Sequence, residues 1–164
     1  MSTFRYRKGS IFRSLFSRAR TERAASIPDV IPGTGLRGSL QLRHVDAGSC
    51  NGCEVEIASA FAPTYDASRF GARLVASPRH ADGVLVTGVV TQNMAGALVR
   101  TLDALPRPVV VVACGDCAVS GGIFREAYGV AGTLDSFVDV DVRIPGCPPH
   151  PEAITQALRS LTGR

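Results

Sequence analysis

Residues 108–114 read Pro-Val-Val-Val-Val-Ala-Cys, and four consecutive valines leave few structural options. β-Branched side chains are stiff at χ1 and favour strands. A strand points successive side chains to opposite faces, so a strand over residues 108–113 is apolar on both. Both faces must then be covered, as in parallel sheets wrapped by helices. Residues 83–90 form a second dense β-branched run, interrupted by Thr87 and Gly88.

The remaining segments alternate in the same sense. Residues 40–45 alternate apolar and polar, as in a strand with one wetter face, and residues 72–76 and 138–144 are short strand candidates. Residues 93–105 place Met94, Ala97, Leu98, Leu102 and Leu105 on one face of a helix that Pro106 ends. Residues 54–61 are helix-compatible up to Pro63. Residues 151–161 form a helix with Pro151 and Glu152 in its first turn. Single helical turns are expected at 123–127 and 134–137. Strands alternating with helices predict an α/β fold: a small, open, mostly parallel sheet with helices on both faces, flavodoxin-like in outline.

Charge divides the chain. Residues 1–24 carry seven basic side chains against one acid, Glu22, a net of +6, while residues 25–164 carry −2. The first segment, with Ile11, Phe12, Leu15 and Phe16 set among arginines, reads as a basic amphipathic arm for a membrane surface or a partner. Residues 25–38 are a Pro/Gly-rich connector, and 39–164 form the α/β domain. The domain itself is not basic, which argues against nucleic acid as a partner. No stretch approaches the roughly 18 apolar residues of a membrane span, and no apolar core of a signal peptide follows the basic start. The expected location is the cytoplasm, where thiols stay reduced.

That location bears on the five cysteines. An odd number of reduced thiols does not build a disulfide framework. Cys50 and Cys53 follow the first predicted strand, Cys114 and Cys117 follow the valine strand, and Cys147 follows the strand at 138–144. All five are expected just beyond the carboxyl ends of parallel strands, the edge where open α/β sheets bind ligands. Small residues surround them: Gly48-Ser49-Cys50-Asn51-Gly52-Cys53, Gly115-Asp116-Cys117, and Pro145-Gly146-Cys147-Pro148. Such residues let backbone amides approach sulfur, and a Cys-Pro step also closes bacterial ferredoxin runs. These features favour an iron–sulfur cluster held by Cys50, Cys53, Cys117 and Cys147, with Cys114 as a buried strand-end thiol. The rival is a zinc-binding assembly module using Cys50, Cys53, Cys114 and Cys117, since paired C-x-x-C elements are ordinary zinc ligands. The gap between the two pairs is far longer than the usual spacing of zinc ribbons.

Four segments carry a resemblance: GSCNGCEVEI (48–57), VTGVVTQNMA (86–95), ACGDCAVSGGIF (113–124) and VRIPGCPPHPEAI (142–154). Together, in this order, they resemble the family of the 20-kDa subunit of respiratory NADH:quinone oxidoreductase and the NiFe-hydrogenase small subunits. The C-x-x-C form is most similar to membrane-bound energy-converting hydrogenases and formate hydrogenlyases. The respiratory subunit has two adjacent cysteines there instead. The resemblance implies a flavodoxin-like fold and one 4Fe–4S cluster on Cys50, Cys53, Cys117 and Cys147. It implies an electron-transfer subunit of an oxidoreductase complex, not catalytic alone and peripheral at the inner face of the cell membrane. The partners it implies are a large catalytic subunit, a ferredoxin-like iron–sulfur subunit and membrane subunits. The large subunit would hold a NiFe centre or, in the alternative, adjoin a quinone site. An acid matching Glu56 suggests a proton relay there, with Glu54 a neighbour on another face that carries no role. Asn93 and Met94 match a motif near the quinone or partner face. Asp46 is a candidate loop cap, and His150 a candidate helix cap or hydrogen-bond donor to the cluster.

Overall fold

The structure is a computed structural model and describes residues 38–164. The expected arm at 1–24 and all of the connector but Gly38 lie outside the described residues. Strands β1 (Leu40–Asp46), β2 (Ala72–Leu74), β3 (Gly83–Thr87), β4 (Val90–Thr91), β5 (Val110–Cys114), β6 (Val130–Gly132) and β7 (Val142–Ile144) alternate with four α-helices. The helices are α1 (Gly52–Phe61), α2 (Gln92–Ala104), α3 (Asp116–Ser120) and α4 (Pro151–Thr162). Five strands form one parallel sheet in the order β2-β1-β3-β5-β7. The remaining two, β4 and β6, pair antiparallel beside it.

The valine strand is central, as its composition requires. Val111 and Ala113 face one way and pack with Val84, Val86, Leu98 and Leu102 beneath α2. Val110, Val112 and Cys114 face the other way, against Ile57 of α1 and Ile154, Leu158 and Leu161 of α4. All five residues of β5 are buried. The register makes the carboxyl rim level: Asp46 pairs with Thr87, Thr87 with Cys114, and Cys114 with Ile144.

Local chemistry explains most boundaries. Thr91 caps α2, its hydroxyl accepting from the Met94 N–H at 3.4 Å. In α4, His150 Nδ1 accepts from the Glu152 N–H at 3.3 Å, Pro151 supplies a pre-set first turn, and Gly163 closes in the left-handed region. His150 is therefore a helix cap.

Four boundaries differ from the expectation. Helix α1 starts at Gly52, so Cys53 lies in its first turn, preceded by Asn51 at φ 71°. The run at 83–90 breaks at Gly88, whose φ of 76° ends β3 before β4 begins. Strand β7 begins four residues later than expected. Just before it, the Asp141 N–H donates to Val111 O at 2.9 Å and the Asp141 carboxylate accepts from the Val111 N–H at 2.7 Å. Finally, Cys117 lies on a short helix, α3, and Cys114 is the last residue of β5 rather than beyond it.

Candidate metal centre

Each of three loops at the carboxyl rim is shaped before its sulfur appears. After β1, Asp46 Oδ1 accepts from the backbone N–H groups of Gly48 at 2.8 Å and Ser49 at 2.7 Å. Partial burial works to raise the Asp46 carboxyl, but those two donors outweigh it and hold the group below its ordinary value. Asp46 is thus the loop cap. The turn presents Cys50, which is exposed, and runs through Asn51 into α1, where Cys53 is buried.

After β5 the chain turns at Gly115. Asp116 then ties this loop to the next: its Oδ1 accepts from the Gly146 N–H at 2.8 Å, and its own N–H donates to Gly146 O at 2.9 Å. Gly115 N–H donates to Ile144 O at 2.8 Å. Cys117, buried, and Cys147, exposed, are therefore set by one braced pair of loops. Sequence reasoning missed Asp116, although an Asp at a helix start beside a Gly-rich loop is a typical brace.

Cys50, Cys53, Cys117 and Cys147 line one cavity of about 90 Å³, together with Ser49, Gly88 and Pro148. Cys114 is not among its walls. It is fully buried and packs in the α1/α4 layer. The four residues of the cluster set thus line one cavity, and those of the zinc set do not. Among the described residues no three His, Cys, Asp or Glu side chains converge as a single-ion group. A tetrahedral zinc, with Zn–S near 2.3 Å, needs sulfurs about 3.8 Å apart. A multi-iron cluster spreads its ligands around a larger volume. Glycines also stand where space is needed: a Cβ on Gly115 would lie 2.5 Å from Cys53 Sγ, and one on Gly122 3.1 Å from Cys117 Sγ.

The electrostatics fit the same donor set. Burial pushes the Cys117 thiol up, and the sulfurs of Cys147, Cys53 and Cys50 push it further. Bringing four thiolates together is unfavourable without a cation, and a bound metal holds them deprotonated. The Cys114 thiol donates a hydrogen bond to Cys53, which lowers Cys53 and outweighs its burial, while Cys114 itself is pushed far up.

Beside the cavity lies a polar cluster. Ser49 Oγ donates to Glu54 Oε2 at 2.7 Å, and Thr87 Oγ1 donates to Glu54 Oε1. His44 Nε2 lies 3.0 Å from Thr87 Oγ1 and 3.6 Å from Glu54 Oε1. Burial lowers His44 despite Glu54 and Asp46, with Arg43 adding to the lowering. Thr87 has already given its hydrogen to Glu54, so His44 Nε2 is the donor to Thr87. Glu54, the neighbour without an expected role, is the carboxylate drawn into the site. Glu56 is partly buried on α1, and its side chain makes no hydrogen bond or ion pair among the described residues. Met94 lines a separate open groove of about 580 Å³ with Arg43, His44, Asp46 and Thr101, whereas Asn93 is exposed at the start of α2.

Comparison with known proteins shows the family and the fold. The profile of the family described as NADH ubiquinone oxidoreductase, 20 Kd subunit, matches residues 50–161. The chain is 50% identical over 115 residues to a probable membrane-bound hydrogenase subunit of Pyrococcus furiosus, covering 70% of this chain and 69% of that one. It is 48% identical to formate hydrogenlyase subunit 7 of Escherichia coli, over 78% of this chain and 50% of that protein. It is 47% identical to a subunit of the NADH-quinone oxidoreductase of Bacteroides thetaiotaomicron, over 70% and 58% respectively. These relatives are subunits of oxidoreductase complexes. Among solved structures, a chain of the membrane-bound sulfane sulfur reductase, an archaeal respiratory membrane complex, superposes with a TM-score of 0.67 at 35% identity, over 77% of this chain and 70% of that one. A chain of an NAD+-reducing NiFe-hydrogenase shares the fold, with a TM-score of 0.55 at 20% identity, over 71% and 86%.

Proposed function

Since the chain belongs to the family of the NADH:ubiquinone oxidoreductase 20-kDa subunit, we propose that it is an electron-transfer subunit carrying one 4Fe–4S cluster. Its ligands are Cys50, Cys53, Cys117 and Cys147. The observation that carries this reading is their meeting in one cavity, delivered by three loops of a level sheet rim. When bound, the cluster takes up and releases single electrons. The residues of this chain do the rest. Cys53 and Cys117 sit buried, and Cys50 and Cys147 sit at the exposed mouth. Asp46 and Asp116 fix the loops.

The complex we propose is a membrane-associated oxidoreductase of the hydrogenase and formate hydrogenlyase kind. A large catalytic subunit receives or supplies the electrons, a ferredoxin-like iron–sulfur subunit lies on the other side, and membrane subunits anchor the assembly at the cytoplasmic face. Two facts support a peripheral place. Relatives are named as parts of membrane-bound complexes, and no helix among the described residues is long and apolar enough to cross a membrane. A second reading, with a quinone site beside the cluster, draws support from the Met94 groove. Hydrogen evolution by the purified complex, as against reduction of added quinone, distinguishes the two.

Anaerobic purification with the partner subunits is expected to give a brown protein with about four irons and four sulfides per chain and an EPR signal on reduction. A colourless, zinc-containing protein after anaerobic reconstitution would overturn the proposal. Glu56 belongs to the same proposal as a proton relay toward the partner. Glu56→Gln is expected to slow proton-coupled turnover of the complex about tenfold or more while leaving the EPR signal as it is. Unchanged turnover would remove it from that role.

A further inference from the structure

We propose that Glu54 is a positioning residue for the metal centre. It ties the loop of Cys50 and Cys53 to strand β3 and holds negative charge beside Cys53, lowering the centre's reduction potential. The inference rests on the cluster reading above and adds a residue that the four-cysteine motif does not contain.

The tie is visible in the contacts. Glu54 is the third residue of α1, where the helix dipole favours a carboxylate. Both of its oxygens are engaged from different elements. Ser49, from the loop before Cys50, donates to Oε2 at 2.7 Å, and Thr87, from the end of β3, donates to Oε1. Ser49 Oγ also accepts from the Asn51 N–H at 3.1 Å, and the Ser49 N–H is held by Asp46. The loop between Asp46 and Cys53 is therefore strung between two carboxylates. Thr87 is fully buried, and the Glu54 side chain is only 18% exposed, so solvent screens the interaction weakly. A carboxylate that accepts at both oxygens and donates at neither is arranged as an anion. An anion beside an electron acceptor makes each added electron less favourable, and net charge and hydrogen bonding set cluster potentials.

EPR-monitored redox titration of the anaerobically purified complex, with iron and sulfide counted in parallel, tests the assignment. Glu54→Gln keeps the length and removes the charge. It is expected to retain iron and to favour the reduced state about tenfold, a positive shift near 59 mV for one electron. Glu54→Asp keeps the charge on a shorter stem and should return most of that shift. Thr87→Val keeps shape and charge but removes one tether, and should broaden the EPR signal and speed iron loss without the positive shift. An unchanged or more negative potential in Glu54→Gln overturns the charge role. Wild-type line shape and iron retention in Thr87→Val overturn the tether. A wild-type complex without any iron–sulfur signal refutes the cluster reading itself, a result distinct from either.

Discussion

Serine in place of Cys117 is expected to strip the protein of most of its iron, while alanine in place of Cys114 is expected to leave it bound. The two residues are three apart, and a C-x-x-C reading treats them as a pair. The structure separates them. Cys117 lies on α3 and lines the cavity with Cys50, Cys53 and Cys147. Cys114 ends β5 and packs among Ile57, Ile144 and Ile154. On the proposed cluster reading, loss of Cys117 removes a ligand, and ligand loss commonly converts or abolishes a cluster. Loss of the Cys114 sulfur leaves a small core void, costing about 1 kcal/mol, and removes a hydrogen bond to Cys53. Its signature should be a modest change in potential with full iron content. Iron, sulfide and visible absorbance of the two variants, purified anaerobically, decide the matter. A zinc module on Cys50, Cys53, Cys114 and Cys117 gives another pattern: metal is lost in both variants, and Cys147→Ser is harmless.

Gly115→Ala is expected to damage both the stability of the domain and its metal site. Gly115 has φ of 89°, a conformation that costs a residue with a Cβ roughly 1–3 kcal/mol. The added methyl would also lie 2.5 Å from Cys53 Sγ, and such overpacking typically costs a further ~1–3 kcal/mol. Neither neighbour can yield easily. Gly115 is hydrogen-bonded to Ile144, and Cys53 sits in the first turn of α1. The methyl therefore either displaces Cys53 or opens the joint between β5 and β7. Urea unfolding should show a midpoint lowered in keeping with about 2 kcal/mol or more, together with loss of iron. Gly129→Ala, at a site where nothing lies within 4 Å of the added carbon, serves as the control. A Gly115→Ala protein as stable and as iron-rich as wild type would show that the rim is softer than drawn.

Much of this was legible in the sequence because the informative signals were long or strongly constrained. Four β-branched valines in a row strongly favour a two-sided buried strand, and all five residues of β5 are buried. The stripe Leu98 and Leu102 marked α2, and Pro151 with the following apolar spacing marked α4. The arrival of cysteines after strands marked the rim. Short elements were not legible. Helix α3 has five residues, less than the span over which a 3.6-residue period shows itself, so Cys117 read as loop. Asn51 in the left-handed region starts α1 earlier than its apolar pattern does. The roles of Glu54 and Glu56 were not distinguishable either. The two carboxylates sit two residues apart, and their difference lies in Thr87, a contact across 33 positions of chain. Asp116 was hidden for the same reason, since its partner Gly146 is 30 residues away.

The level rim has a further consequence for how the protein is made. The four cysteines proposed as ligands span residues 50 to 147, and the last loop is set only once β7 has paired with β5. A nascent chain emerging from the ribosome therefore offers no complete set of sulfurs until nearly the whole domain is out and its non-local strand pairings have formed. Small zinc domains, by contrast, fold around their ion. On the proposed cluster reading the order is reversed: the sheet is completed first, the cavity forms as a shaped receptacle, and metal delivery is a late step in biogenesis.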